Sequence, residues 1–183
     1  AVGSGALGTA TSGNNCTAIG KSALGSTIDG GFNTAVGVGA LAADCADYNT
    51  AVGVNALDVF TGSNAVAIGA NAADAATSAT YLTAVGGHAA GAVTDSEEHT
   101  AVGYGALANC TTGDKNTAIG AFAGHASFLG SGNAFLGNNA GFYTATTDDC
   151  IAIGRNAMLG ATTSISCTTQ AGGDANKITL SSP

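Results

Sequence analysis

Three kinds of residue in this chain could do chemistry. At its start, Gly3, Gly5 and Gly8 in AVGSGALG spell GxGxxG, and Asp29 follows at the distance of a ribose-binding acid. That spacing lets a backbone cradle a pyrophosphate at a helix N-terminus. Three histidines, His88, His99 and His125, could serve as acid, base or ligand, and the run DSEEH places Asp95, Glu97 and Glu98 in one turn where a hard cation such as calcium could sit. Five cysteines, Cys16, Cys45, Cys110, Cys150 and Cys167, could pair or bind metal.

Each set lacks the companions its chemistry needs. A cofactor loop occurs once per site, whereas this glycine motif recurs as TAIGKSAL, TAVGVGAL, TAVGVNAL, VAIGANAA, TAVGGHAA, TAVGYGAL, TAIGAFAG, AFLGNNAG and IAIGRNAM. The pivot glycines are Gly3, Gly20, Gly37, Gly53, Gly69, Gly86, Gly103, Gly120, Gly137 and Gly154, ten units at intervals of 16 or 17 residues. Most copies carry something else at the second or third glycine, so phosphate contact is not what the pattern serves. The histidines fall at different phases of the repeat with no nucleophile or carboxylate at matching phase, which predicts surface residues. EF-hand and RTX spacings are both absent, so Asp95, Glu97 and Glu98 read as a solvated turn and only a weak metal candidate. No CxxC occurs and no histidine stands at ligand spacing from a cysteine, which argues against zinc. No Ser-His-Asp or paired-carboxylate arrangement stands out. The expectation is no catalysis and no cofactor. NCT at Asn15 and Asn109 forms glycosylation sequons that matter only in a eukaryotic secretory pathway.

The elements that position these residues follow from the repeat. Alanine favours helix, but a glycine in every unit costs about 1 kcal/mol in a helix interior, and the Thr-Ala-Val/Ile triplet prefers strand. A period of 16 or 17 suits one coil of an all-β parallel β-roll or β-solenoid: two strands of about five residues and two turns, stacked at about 4.8 Å. Ten such coils are expected over residues 1–158, with 159–183 a C-terminal cap or transition segment, because Gln170 stands where Val or Ile is required. The residue before each pivot is always aliphatic: Val2, Ile19, Val36, Val52, Ile68, Val85, Val102, Ile119, Leu136 and Ile153. This predicts a buried core ladder. Alanine stands three residues after every pivot and two before nine of the ten, the exception being Phe135. Two ladders of small residues are one more than a single coil needs, which predicts a close-packed partner chain and hence a homotrimer. Cys150 and Cys167 lie 17 residues apart, one coil, so stacking brings them within disulfide reach. A bond there would imply an oxidising, extracellular setting.

These residues carry a resemblance. NAVAIGANA (Asn64 to Ala72) resembles the repeat of the YadA-like head of trimeric autotransporter adhesins, while NTAVGVGAL and TTGDKNTAIG resemble roll segments of bacteriophage tail fibres. The likeness spans residues 1 to about 158, with a longer period and five cysteines as departures from the adhesin pattern. It implies a left-handed parallel β-roll that trimerises about the fibre axis, and a structural fibre segment on a virion or cell surface that serves attachment or receptor binding.

Composition agrees with an ordered, elongated chain. Its 183 residues are 45% hydrophobic yet include Gly 29, only 5% aromatic and 9% charged residues, little bulk for a globular core. Net charge −8 argues against nucleic acid and anionic membrane, and no apolar run is long enough to span a bilayer. Ala1 falls mid-repeat with no leader before it, so the chain reads as a piece of something longer. Five of ten aromatics crowd into residues 122–143, and Phe128, Phe142 and Tyr143 are a candidate surface for a glycan or protein receptor. A second function class is an ice-binding solenoid, for which Thr17, Thr34, Thr50, Thr83, Thr100 and Thr117 form a ladder, though one sharing a face with the Val/Ile expected inside.

Overall fold

The structure, a computed structural model, describes residues 1–95, 97–126, 130–143 and 148–159. The strands are β1 (Thr17–Ile19), β2 (Thr34–Val36), β3 (Thr50–Val52), β4 (Val66–Ile68), β5 (Thr83–Val85), β6 (Thr100–Val102), β7 (Thr117–Ile119), β8 (Ala134–Leu136) and β9 (Ile151–Ile153). They stack in chain order as one nine-stranded sheet, parallel throughout, and a bridge from Val2 to Ile19 adds a further rung. Register is set by the repeat, so Thr34 pairs Thr50, Ala35 pairs Ala51 and Val36 pairs Val52. The fold is an all-β parallel solenoid with eight turns of chain between β1 and β9, and no helix among the described residues.

Each coil holds one strand of three residues, not the two strands of about five that the period suggests. The reason is a run of left-handed backbone. Two residues past the pivot, Ser22, Asn55, Asn71, His88, Phe122 and Asn139 have φ between 54° and 58°; four past it, Leu24, Leu41, Leu57, Ala73, Ala90 and Leu107 have φ between 48° and 53°. Alternating left-handed residues cannot lie extended, so this side of the coil is a winding turn. It still bonds coil to coil, as where Leu24 N–H donates to the Ala40 carbonyl at 3.0 Å and Leu107 N–H to that of Ala123 at 3.0 Å.

The pivot glycine closes the strand, and its geometry explains the GxGxxG look-alike. Gly103 has φ +131°, and a Cβ built on it would stand 2.6 Å from the carbonyl carbon and oxygen of Gly120, the next pivot. No side chain fits between stacked backbones at that separation. The second glycine of the motif falls at a left-handed position, where Gly39 has φ +69° and Asn55 replaces it one coil on. Both glycines therefore serve the turn.

The coil interior reverses the expected facing of the strand. Each central alanine, Ala18 through Ala152, points inward and is at most 2% exposed, as do the alanines three past the pivot from Ala23 to Ala140. The flanking aliphatics point out: Val2 and Ile153 at the ends are 68% exposed, Ile19, Ile68, Ile119 and Leu136 are exposed, and Val36, Val52, Val85 and Val102 are half-buried. The Val/Ile ladder is therefore not the core of the coil. Period-two alternation holds, but the lumen is narrow enough that the small member of each pair goes in. Both alanine ladders belong to one buried cluster with Leu24, Leu41, Leu57 and Leu107, so neither is surplus, and a partner chain is not needed to explain them.

Phe135 is the one large residue at a strand centre, and its ring lies inside at 1% exposure. Gly124 and Gly141 occupy the position where other coils carry leucine, alanine or methionine. A Cβ on Gly124 would meet the ring 2.8 Å away, and one on Gly141 would meet it at 2.5 Å. The ring fills what those two side chains vacate.

Candidate functional site

Two surfaces of the solenoid are candidates for contact, and both arise from the repeat. The first is the outer face of the sheet. On it Thr17, Thr34, Thr50, Thr83, Thr100 and Thr117 run beside Ile19, Val36, Val52, Val85, Val102 and Ile119, with Val66, Ile68, Ala134, Leu136, Ile151 and Ile153 completing the nine strands. Rungs repeat at about 4.8 Å and the two columns stand about 6.6 Å apart, two strand residues at 3.3 Å. No strand position carries a charge, in a chain of net charge −8.

The second surface is a groove on the turn side, where the positions after the pivot project. It is an open cavity of about 430 Å³ that follows the column Asp74, Gly91, Ala108 and His125, and is lined also by His88, Tyr104, Gly105 and Phe122. The rings form a connected series. His88 meets Tyr104 edge-on at 5.9 Å, Tyr104 meets Phe122 at 5.2 Å, and Phe122 meets His125 at 5.3 Å. His125 stacks on Phe142 at 4.9 Å, and Phe142 meets Tyr143 at 4.5 Å. His125 is held at both nitrogens: Nδ1 lies 3.0 Å from the Gly105 carbonyl and Nε2 lies 3.3 Å from Asn109 Nδ2. A carbonyl only accepts, so Nδ1 carries a proton and donates it to Gly105. Of the aromatics singled out from sequence, Phe142 is half-buried against His125, Tyr143 is exposed, and Phe128 lies outside the described residues. Sequence reasoning missed Tyr104, His88 and His125 as members, because the stacking phase that unites them joins positions one, two and five past different pivots.

His99 belongs to neither surface. It stands four residues before a pivot, in a buried column shared with Asn33, Asn49, Asn116 and Asn133. Each asparagine Oδ1 accepts the backbone N–H of the same position one coil on: Asn49 N–H donates to Asn33 at 2.8 Å, Ala65 to Asn49 at 3.0 Å, Asn133 to Asn116 at 2.9 Å and Cys150 to Asn133 at 2.9 Å. His99 Nδ1 takes the same part, accepting from Asn116 N–H at 3.2 Å, while its Nε2 is buried without a partner. Burial holds the His99 pKa below its usual value, against the pull of the nearby Asp114 carboxylate. The expectation of three surface histidines thus fails at His99.

The remaining candidates are dispersed or internal. Asp95 accepts from Thr94 Oγ1 at 2.9 Å, and Glu97 N–H donates to Asp114 at 2.9 Å, so the turn is knitted by hydrogen bonds. Among the described residues no three His, Cys, Asp or Glu side chains converge on a point. Cys45, Cys110 and Cys150 are buried free thiols; burial raises Cys45, and pushes Cys110 up to about 11 against the Asn116 amide. Cys167, the expected partner of Cys150, lies outside the described residues, as does the expected cap beyond residue 159. No described helix is long and apolar enough to cross a membrane. Comparison of the chain with family profiles, curated proteins and solved structures finds no match among them.

Proposed function

We propose that this chain is a structural segment of an extracellular fibre that serves surface attachment or receptor binding, and that three copies associate through their strand faces. The observation that supports this reading best is the uncharged outer face of β1 to β9, a continuous stripe of valine, isoleucine, leucine and threonine. An acidic chain that keeps such a stripe in water would expose one contiguous apolar patch along its whole length, and such patches mark interaction surfaces. Three identical copies set about a common axis can turn these faces toward one another and close as a ring. The segment performs no reaction in this reading. It holds a rod whose strands span about 38 Å, eight steps of about 4.8 Å, and displays its turns outward.

The test is to place lysines in the stripe, Val52→Lys with Val85→Lys, and to measure mass by sedimentation equilibrium. The unmodified chain should sediment as a trimer and the variant as a folded monomer. A monomeric unmodified chain would overturn the association.

One specific observation favours a second reading. The six threonines face outward beside the aliphatic column, a regular array of hydroxyls and methyls repeating from strand to strand. Thermal hysteresis in a monomeric unmodified chain, abolished in the same lysine variant, would favour ice binding over the fibre.

A further inference from the structure

We propose that the turn-side groove is a binding site for a neutral glycan, with pyranose rings lying against Tyr104 and Phe122 and hydroxyls meeting Asp74. The proposal deepens the attachment reading by naming the class of receptor. It stands on a different face, since no strand residue lines the groove.

The groove has the two components that recognition of a sugar needs. A pyranose presents an apolar face of C–H groups and an equatorial rim of hydroxyls. The first is matched by aromatic surface that stays partly in water: Tyr104 is exposed, and Phe122 and His125 are half-buried. These rings are fixed in place before any ligand arrives. Phe122 is braced by edge contacts to Tyr104 and His125, and His125 is clamped through both nitrogens. Little ordering entropy is then left to lose on binding. The hydroxyl rim is matched by the Asp74 carboxylate, which no hydrogen bond within the described residues takes up, and by the amide of Asn109.

The base of the groove matters as much as its walls. Gly105 stands where the adjacent coils carry His88 and Phe122, and Gly91 and Ala108 follow one another in a single column between Asp74 and His125. These small residues leave open the space that the groove occupies. The hollow runs over four coils, three steps of about 4.8 Å that span about 14 Å, long enough for a short oligosaccharide. Asp74 sets the selectivity. Desolvation raises the Asp58 pKa, and repulsion from the nearby Asp74 carboxylate adds to it. No lysine or arginine lines the groove to offset this negative end, so uronic or sialic acids are disfavoured and neutral sugars admitted.

The probes are the trisaccharides chitotriose and maltotriose, with sialyllactose as the anionic control, titrated into the purified chain by isothermal calorimetry and by NMR line broadening of the sugar. Saturable binding of at least one neutral probe is expected at about 1 mM or tighter. Tyr104→Ala and Asp74→Asn should each weaken it at least tenfold, while Tyr81→Ala, an exposed tyrosine outside the groove, should leave it unchanged. Circular dichroism must match the unmodified chain in all three. The lysine variant that separates the copies should bind the sugar as before, so a failed trimer and a failed groove give different results. Absence of saturable binding by either neutral probe, affinity indifferent to Tyr104→Ala, or preference for sialyllactose would each overturn the proposal.

Discussion

Asn116 donates its backbone N–H to Nδ1 of His99 across 3.2 Å, the same bond that asparagine oxygens accept at four other steps of the column. An asparagine oxygen accepts at any pH, but an imidazole nitrogen accepts only while it is unprotonated. The folded pKa of His99 lies below 6.5, so the unfolded chain binds a proton first as pH falls. Stability should hold above pH 6.5 and fall below it, by at most about 1.4 kcal/mol per pH unit, until the folded pKa is reached. Asp114, the charged group close to the ring, moderates the effect without reversing it. Urea unfolding midpoints of the unmodified chain and His99→Asn, followed from pH 8 to pH 5, should diverge below pH 6.5. Parallel curves would show that His99 does not titrate in this way.

A second expectation separates the two kinds of glycine. Gly103→Ala puts a Cβ 2.6 Å from the backbone of Gly120, at a φ of +131° that alanine also resists. The cost should reach or exceed the about 1–3 kcal/mol of a residue held in a sparsely populated region. Gly39→Asn should be nearly neutral, because the new Cβ meets the movable Asn55 side chain and asparagine already adopts this conformation one coil on. Thermal melts of the two variants test the difference; equal losses would contradict it.

The reversed strand facing carries its own test. Ala101→Leu enlarges an inward residue with 0% exposure and should destabilise the coil by about 1–3 kcal/mol, lowering the unfolding midpoint whatever the state of association. Val102→Asp, one residue along, places its carboxylate outside the coil. It should leave secondary structure intact and act on association instead. If Val102→Asp unfolds a monomeric chain and Ala101→Leu does not, the facing is wrong.

How far the sequence could be read depends on which feature carried the information. The parallel stack and its register were legible because pivot glycines at 16 or 17 residues admit one alignment of Thr34 on Thr50 and Val36 on Val52. The facing was not, since alternation places Val36 opposite Ala35 without saying which is inside; lumen width decides that, and it depends on the left-handed turn at Leu41. Nor does strand content follow from period, because leucine at φ 48° runs against its own preference and is held there by burial. The groove escaped because Tyr104, Phe122 and His125 come together through stacking of unlike positions, whereas sequence proximity pointed to the cluster at 142 and 143.

Phe135 offers the sharpest check on how coils share volume. Its ring occupies the lumen between Gly124 and Gly141, where a Cβ on either would stand within 2.8 Å of ring carbons. Phe135→Ala restores the repeat residue but leaves the ring's space empty, so it should cost about 3–5 kcal/mol as a large-to-small core change. Gly124→Leu alone should also destabilise, because leucine and ring compete for one space. Together the two changes reproduce the arrangement of the preceding coils, in which Leu107 sits at φ 49° and Ala118 at the strand centre. The double variant should therefore recover at least half of the loss seen in Phe135→Ala, a coupling of a size found between residues in contact. Chemical denaturation of the two single variants and the double variant measures that coupling directly. Additive losses would mean that Phe135 and Gly124 do not share the space.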